Sequence, residues 1–272
     1  MNIREIKCKS LITKSKLPDA DYVVNPYIGC NHGCVYCYAQ FMSRFSGHSG
    51  KPWGSFIDVK RGGKLSGKLD GRSVLFGSVT DPYNPLEKKY RVTRDALERL
   101  LEQNTCMDVE ILTKSPLVLR DVDLLKQFSN FRVGISLSTT DKKFARLTEA
   151  HTVSPKRRID TVRELHTHGI SVYVFVSPIF PYLSDWRGVT DSVSEYANQI
   201  CFENLNLRAN YRLDVLNLVR VHYSDVYPQF SKIYSDKDCF CTYWNNEAEQ
   251  IKKYMGDRNY KLYFFHKENK KA

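Results

Sequence analysis

Three thiols stand within eight residues, Cys30-Asn-His-Gly-Cys34-Val-Tyr-Cys37, at the spacing CxxxCxxC. Thiolates select soft metals: zinc, copper(I) or the irons of an iron–sulfur cluster. A structural zinc site closes four ligands, commonly as two CxxC-type pairs far apart in sequence. No second pair of matching spacing follows, and a tetrahedron closed through His32 within this short stretch would be cramped. A 4Fe–4S cluster held by three thiolates leaves one iron open to a reactant. The spacing therefore argues for a reactive cluster over a structural knuckle.

The cysteines lie in Asn25-Pro-Tyr-Ile-Gly-Cys30-Asn-His-Gly-Cys34-Val-Tyr36-Cys37-Tyr38-Ala39. This run resembles the signature of the radical S-adenosylmethionine (radical SAM) enzymes, where an aromatic residue precedes the last cysteine. Its form is similar to the spore photoproduct lyase-like, or "DNA repair photolyase", branch. The likeness covers roughly residues 20 to 207, through Thr80-Asp-Pro-Tyr-Asn-Pro-Leu-Glu87, Thr93-Arg94, Lys114-Ser-Pro116 and Pro178-Ile-Phe-Pro181.

The resemblance implies a 4Fe–4S cluster on Cys30, Cys34 and Cys37 with S-adenosylmethionine at the open iron. It implies reductive cleavage of that cofactor to a 5′-deoxyadenosyl radical, which takes hydrogen from a substrate, and an electron donor such as flavodoxin or ferredoxin. It also implies site residues. Tyr36 packs adenine, and Thr80 offers a hydroxyl to the methionine end. Lys114 pairs with the carboxylate, Ser136 lies near the ribose, and Arg158 lies near the cofactor. Lys60 also fits the branch, without an implied role. One position departs. Spore photoproduct lyase carries a hydrogen-donating cysteine three residues before the aspartate equivalent to Asp81, and here that position is Ser78. A serine O–H is too strong to donate readily, so thymine-dimer reversal does not follow.

A chain of 272 residues suffices for one large domain or two small ones. A net charge of +11 attracts polyanions, with nucleic acid the usual partner. No apolar run is long enough to span a bilayer, and the charged start MNIREIKCKSLITK lacks a signal core. A cytoplasmic protein with reduced cysteines is expected. Cys8, Cys106 and Cys201 are isolated and read as buried small hydrophobes or exposed bystanders, and Cys239-Phe-Cys241 offers too few ligands for a second cluster.

Strand signals fall at Tyr22–Val24, Val74–Thr80, Val109–Thr113, Phe131–Ser138, Ser171–Val176 and Ile200–Leu205. Helical patterns lie between them: one capped by Thr93, one around Val118–Phe128, one opened by Ser154-Pro155 and stopped by Gly169, and one near Val189–Asn198. The alternation predicts parallel βα units. The resemblance closes them into a partial (β/α)6, TIM-like barrel with a C-terminal helical, aromatic-rich extension. Loops at the C-terminal strand ends would then carry the site. Residues 1–24 read as an extended lead-in. Residues 43–73 read as a loop-rich insertion, holding seven of fourteen glycines. Residues 1–206 are expected to form the barrel with its cluster loop, and 207–272 the extension covering the barrel edge, ending in a disordered tail at Lys267–Ala272. The aromatics after residue 220 read as a base-stacking surface or, preferred here, as a cap buried against that edge.

The reading is a radical SAM enzyme acting on a macromolecule, nucleic acid by charge. Its alternatives are a non-catalytic metal-bearing nucleic-acid-binding module, and a radical SAM enzyme acting on a peptide or small molecule.

Overall fold

The computed structural model describes residues 1–103, 105–208 and 211–264. Its strands are β1 (Asn2–Lys7), β2 (Ile12–Lys14), β3 (Tyr22–Val24), β4 (Tyr27–Ile28), β5 (Phe56–Arg61), β6 (Arg72–Phe76), β7 (Met107–Thr113), β8 (Asn130–Ser136), β9 (Val172–Ile179), β10 (Gln199–Asn204) and β11 (Tyr260–Tyr263). β3, β6, β7, β8, β9 and β10 pair in that order, all parallel, and are the strands anticipated from the sequence. β2 joins one edge antiparallel and β11 the other edge parallel, giving an eight-stranded sheet among the described residues.

Residues alternate between the two faces of this sheet. Val109 and Ile111, Val133 and Ile135, Val172 and Val174, and Ile200 and Phe202 are buried with Leu97, Val162, Leu165 and Trp186 of the helices. Each such side chain contributes roughly 1.5–3 kcal/mol. The intervening residues face the concave side, which is polar near the strand starts. There the Arg132 guanidinium and Tyr173 hydroxyl donate to Glu110 at 2.8 and 2.6 Å. At the opposite, C-terminal ends of the strands stand Lys114, Ser136, Ser177 and Glu203.

Several helices differ from expectation in their boundaries. The helix Val92–Leu101 is capped by the Glu87 carboxylate, which accepts from the Thr93 and Arg94 amides at 3.0 and 3.2 Å. The Thr93 hydroxyl instead donates to the Pro82 carbonyl at 2.5 Å. The helix expected over 118–128 is a 3-10 segment, Pro116–Asp121, and a short α-helix, Val122–Leu125. The Ser154 hydroxyl caps Pro155–Thr167 by accepting from the Arg157 amide at 3.3 Å.

Two regions read as irregular pair with each other. β1 from the lead-in and β5 from the glycine-rich stretch run parallel, from Asn2 opposite Phe56 to Lys7 opposite Arg61, and β4 joins β5 to complete a small second sheet. β1 shows no alternation of apolar and polar residues, and β5 alternates only over Ile57–Lys60, inside a glycine-rich stretch.

After residue 207 come the helices Tyr211–His222, Tyr227–Ser235 and Lys237–Met255, which bury Phe230, Tyr234, Phe240 and Trp244. The chain then returns to the sheet, so that strand β11, not a helix, pairs with β10. Lys261 and Tyr263 of β11 reach Asp19 of the lead-in at 2.8 and 2.7 Å, clasping the two edges of the barrel. Residues 267–272 lie outside the described residues. No helix among the described residues is long and apolar enough to cross a membrane.

Candidate active site

The cysteine loop follows β4, just beyond the C-terminal end of β3, and is held from several sides. The Thr80 hydroxyl, just beyond β6, donates to the Gly29 carbonyl at 2.6 Å. The Val35 amide donates to the Thr148 carbonyl at 3.0 Å, and the His151 amide to the His32 carbonyl at 3.2 Å. The small sheet buttresses the loop. Gly29 has φ +88°, and a Cβ there would stand 2.4 Å from the Phe56 carbonyl oxygen of β5. Gly54 has φ +94°, and its Cβ would meet Gly33 Cα at 3.1 Å. The Phe56 ring stacks on His48 with centroids 3.8 Å apart, and His48 Nε2 lies 2.9 and 3.0 Å from the Asp58 oxygens. Arg4 of β1 donates to the same carboxylate at 2.6 and 2.8 Å.

Cys30 and Cys34 are buried and Cys37 is half-buried. Burial pushes each thiol up to about 12, before any metal is bound. Among the described residues no group of His, Cys, Asp or Glu converges on a single metal ion. Thiolates that bind separate irons of a cluster do not share one point.

Beside this loop lies a buried carboxylate that the sequence reading missed. Glu149 accepts from the Arg158 guanidinium and from the Tyr36 hydroxyl. Lys114 Nζ is 4.0 Å from its Oε1 and 5.9 Å from the Tyr36 ring centroid. Burial alone would raise the Glu149 carboxyl, but Arg158 and Lys114 override it and hold it at about 2. Burial alone would lower Lys114, but Cys34 and Glu149 leave it raised. Arg158, itself buried, donates to Ser136 O at 3.1 Å, to Thr152 Oγ1 at 2.5 Å and twice to Val153 O, so each of its three guanidinium nitrogens is tied to the protein. Tyr36, Lys114 and Arg158 are thus brought together at Glu149, with Ser136 joined through Arg158. Thr80 stands apart, its hydroxyl spent on the cysteine loop.

Asp81, also missed, is buried after β6. It accepts from Thr113 Oγ1 at 2.6 Å and from the Lys114 amide at 2.8 Å, and it lies 3.6 Å from His32 Nδ1. It therefore ties the strand end carrying Lys114 to the cysteine loop. Across the concavity, Glu203 accepts from the Ser177 hydroxyl, where the β9–β10 register shifts between Phe202 and Asn204. Burial raises its carboxyl above the ordinary value. Tyr38, following the last cysteine, donates its hydroxyl to the Ser78 carbonyl. Lys60 sits on β5, away from these strand ends, and burial lowers it.

Residues 24–189 match the profile of the Radical SAM superfamily. A protein of Methanocaldococcus jannaschii is 36% identical over 256 residues, covering 93% of this chain and 94% of the relative. The chain belongs to the radical SAM superfamily. A Radical SAM Nalpha-GlyT isomerase of Pseudomonas phage M6 is 28% identical over 165 residues, covering 58% of this chain and 33% of the phage protein. A spore photoproduct lyase complexed with dinucleoside spore photoproduct superposes with a TM-score of 0.63 at 14% identity, over 97% of this chain and 82% of that one. That likeness gives the fold, a partial barrel with parallel strands.

The protein is a radical SAM enzyme, and the superfamily implies a 4Fe–4S cluster and S-adenosylmethionine. The residues fit both groups. The donor set is three soft thiols on a loop clamped by close backbone packing, beside a half-buried lysine whose charge its surroundings favour. Glu149 and Asp81 carry no local sequence signal. Their importance comes from what the fold folds onto them, and only the proximity of Asp81 to Thr80 in the chain hinted at a role. Cys239 and Cys241 lie in the first turns of the helix Lys237–Met255 and point to different sides, as residues two apart must.

Proposed function

We propose that Cys30, Cys34 and Cys37 hold a 4Fe–4S cluster, and that S-adenosylmethionine binds beside it between the cysteine loop and the ends of β6, β7 and β8. When bound and reduced, these groups supply a 5′-deoxyadenosyl radical that abstracts hydrogen from a substrate. Lys114 provides the cation for the cofactor carboxylate, with Glu149 fixing its head and Asp81 its backbone. Tyr36 lends an aromatic face and Ser136 a strand-end hydroxyl. Arg158 and Thr80 act as positioning residues, one through Glu149 and the other through Gly29. Residues 1–206 form the catalytic barrel with its cluster loop, and the chain beyond 206 an extension whose three helices and strand β11 complete its edge.

The single observation that carries this reading is the meeting of the cysteine loop, Lys114 and Tyr36 at one buried carboxylate, Glu149. Nucleic acid is the proposed substrate class, supported by the net charge of +11. Flavodoxin or ferredoxin is the proposed electron donor. Anaerobic reconstitution tests the cofactor assignment: about four irons per chain are expected. Addition of S-adenosylmethionine should then perturb the electron paramagnetic resonance signal of the reduced cluster. A colourless zinc protein with no such signal would refute it.

A further inference from the structure

The segment after the last cysteine is a 3-10 helix, Tyr38–Phe45. With three residues per turn, residues three apart share one ridge. Tyr38, Phe41 and Arg44 occupy that ridge, and all are exposed. Phe45 lies beside them, 77% exposed, its ring centroid 6.3 Å from that of Phe41. The opposite side is anchored by buried Ala39. Large aromatic rings left in water on a short helix cost apolar hydration and bring no packing in return. The ridge starts at the barrel mouth, because the Tyr38 hydroxyl reaches the Ser78 carbonyl beyond β6.

A second basic group packs on the cysteine loop. The helix Lys142–Thr148 adjoins the same loop through Val35 and exposes Lys142, Lys143 and Arg146, while its Asp141 is occupied as the N-cap. On the same end of the barrel, Tyr182 holds a left-handed backbone at φ +63° with its ring half exposed, 5.1 Å from the Tyr243 ring. A β-region backbone would be the ordinary choice for a tyrosine. Exposed π-faces beside Lys and Arg are the combination that holds unstacked bases and their phosphates.

We propose that the Tyr38–Phe41–Arg44 ridge, with Phe45, is the docking surface for single-stranded nucleic acid, delivering a base to the barrel mouth. Phe41 and Phe45 stack bases, while Arg44 and the Lys142–Arg146 helix meet phosphates. The inference rests on the nucleic-acid reading of the substrate. A protein electron donor is disfavoured because the ridge leads into the mouth, where a substrate must arrive.

The test is fluorescence anisotropy of the cluster-loaded protein with a short mixed-sequence single-stranded deoxyoligonucleotide. The same sequence as a duplex and an oxidised flavodoxin serve as competing ligands. Phe45→Ala should weaken single-strand binding about tenfold, and Phe41→Ala/Phe45→Ala by about a hundredfold, the scale of one and two lost base stacks. Leu213→Ala, which removes an equally exposed hydrophobe elsewhere, should leave binding unchanged. Iron content measured on each variant separates loss of the surface from loss of the loop. Wild-type protein that binds no single strand overturns the nucleic-acid reading itself. Wild-type binding that survives both phenylalanine changes overturns only the docking surface. Variants that keep the single strand but lose flavodoxin, or lose self-association in sedimentation, also overturn it.

Discussion

Lys114 Nζ stands 4.0 Å from Glu149 Oε1, yet that carboxylate is already neutralised by the fully buried guanidinium of Arg158. The arrangement orients the lysine without consuming its charge. A second carboxylate arriving at the barrel mouth would find a half-buried cation in place.

Lys114→Met should therefore weaken S-adenosylmethionine binding by about 10- to 100-fold, the worth of one charge-assisted hydrogen bond. Equilibrium dialysis with the reconstituted protein reads this directly. Unchanged affinity would remove the lysine from the cofactor site.

Glu149→Gln should destabilise the fold by about 3–5 kcal/mol, because it leaves Arg158 buried without its counter-charge. The pH dependence has a definite sign. The folded carboxyl is held at about 2 against an ordinary value of 4.5. Its stabilisation is thus fully present above 4.5 and disappears as pH falls toward 2. Urea denaturation of wild type and Glu149→Gln across this range should show the two curves converging at the acid end.

Glu203 responds in the opposite direction. Burial raises its carboxyl, so its contribution is complete below the ordinary value of 4.5 and is lost as pH rises through the raised value. Glu203→Gln removes the group whose ionisation burial opposes, so wild-type stability should fall relative to the variant as pH rises above 4.5. A loss as large as that from Glu149→Gln would mean the carboxylate is ionised and paired.

Gly29→Ala should cut iron incorporation sharply, since its Cβ would lie 2.4 Å from the Phe56 carbonyl. Gly50→Ala is the control: its φ of +78° is also left-handed, but nothing lies within 4 Å of the new methyl. The control should cost only the roughly 1–2 kcal/mol of backbone strain and load iron normally. Equal iron loss in both would show that close packing of the cysteine loop is not what matters.

The sequence exposed what is local and periodic. The six parallel strands were legible because each is a short apolar run bounded by polar turns. The cysteine trio was legible because its ligands are neighbours in the chain. The small sheet was not: β1 and β5 are some fifty residues apart, β1 does not alternate and β5 does so only over four residues, so their pairing is what makes them strands. Glu149 was invisible for a related reason. It is one glutamate ending the helix Lys142–Thr148, and its meaning lies in Tyr36, Lys114 and Arg158 arriving from elsewhere. β11 was hidden in a basic aromatic tail whose strand character depends on β10 lying beside it.

The most direct measurement is release of 5′-deoxyadenosine from S-adenosylmethionine by the reconstituted protein under dithionite, compared with Cys34→Ala. Release by the wild type, and its loss in a Cys34→Ala protein that still folds, is the predicted result. Equal release by both, or none from a wild type carrying its full cluster, would contradict the assignment of this loop as the seat of the chemistry.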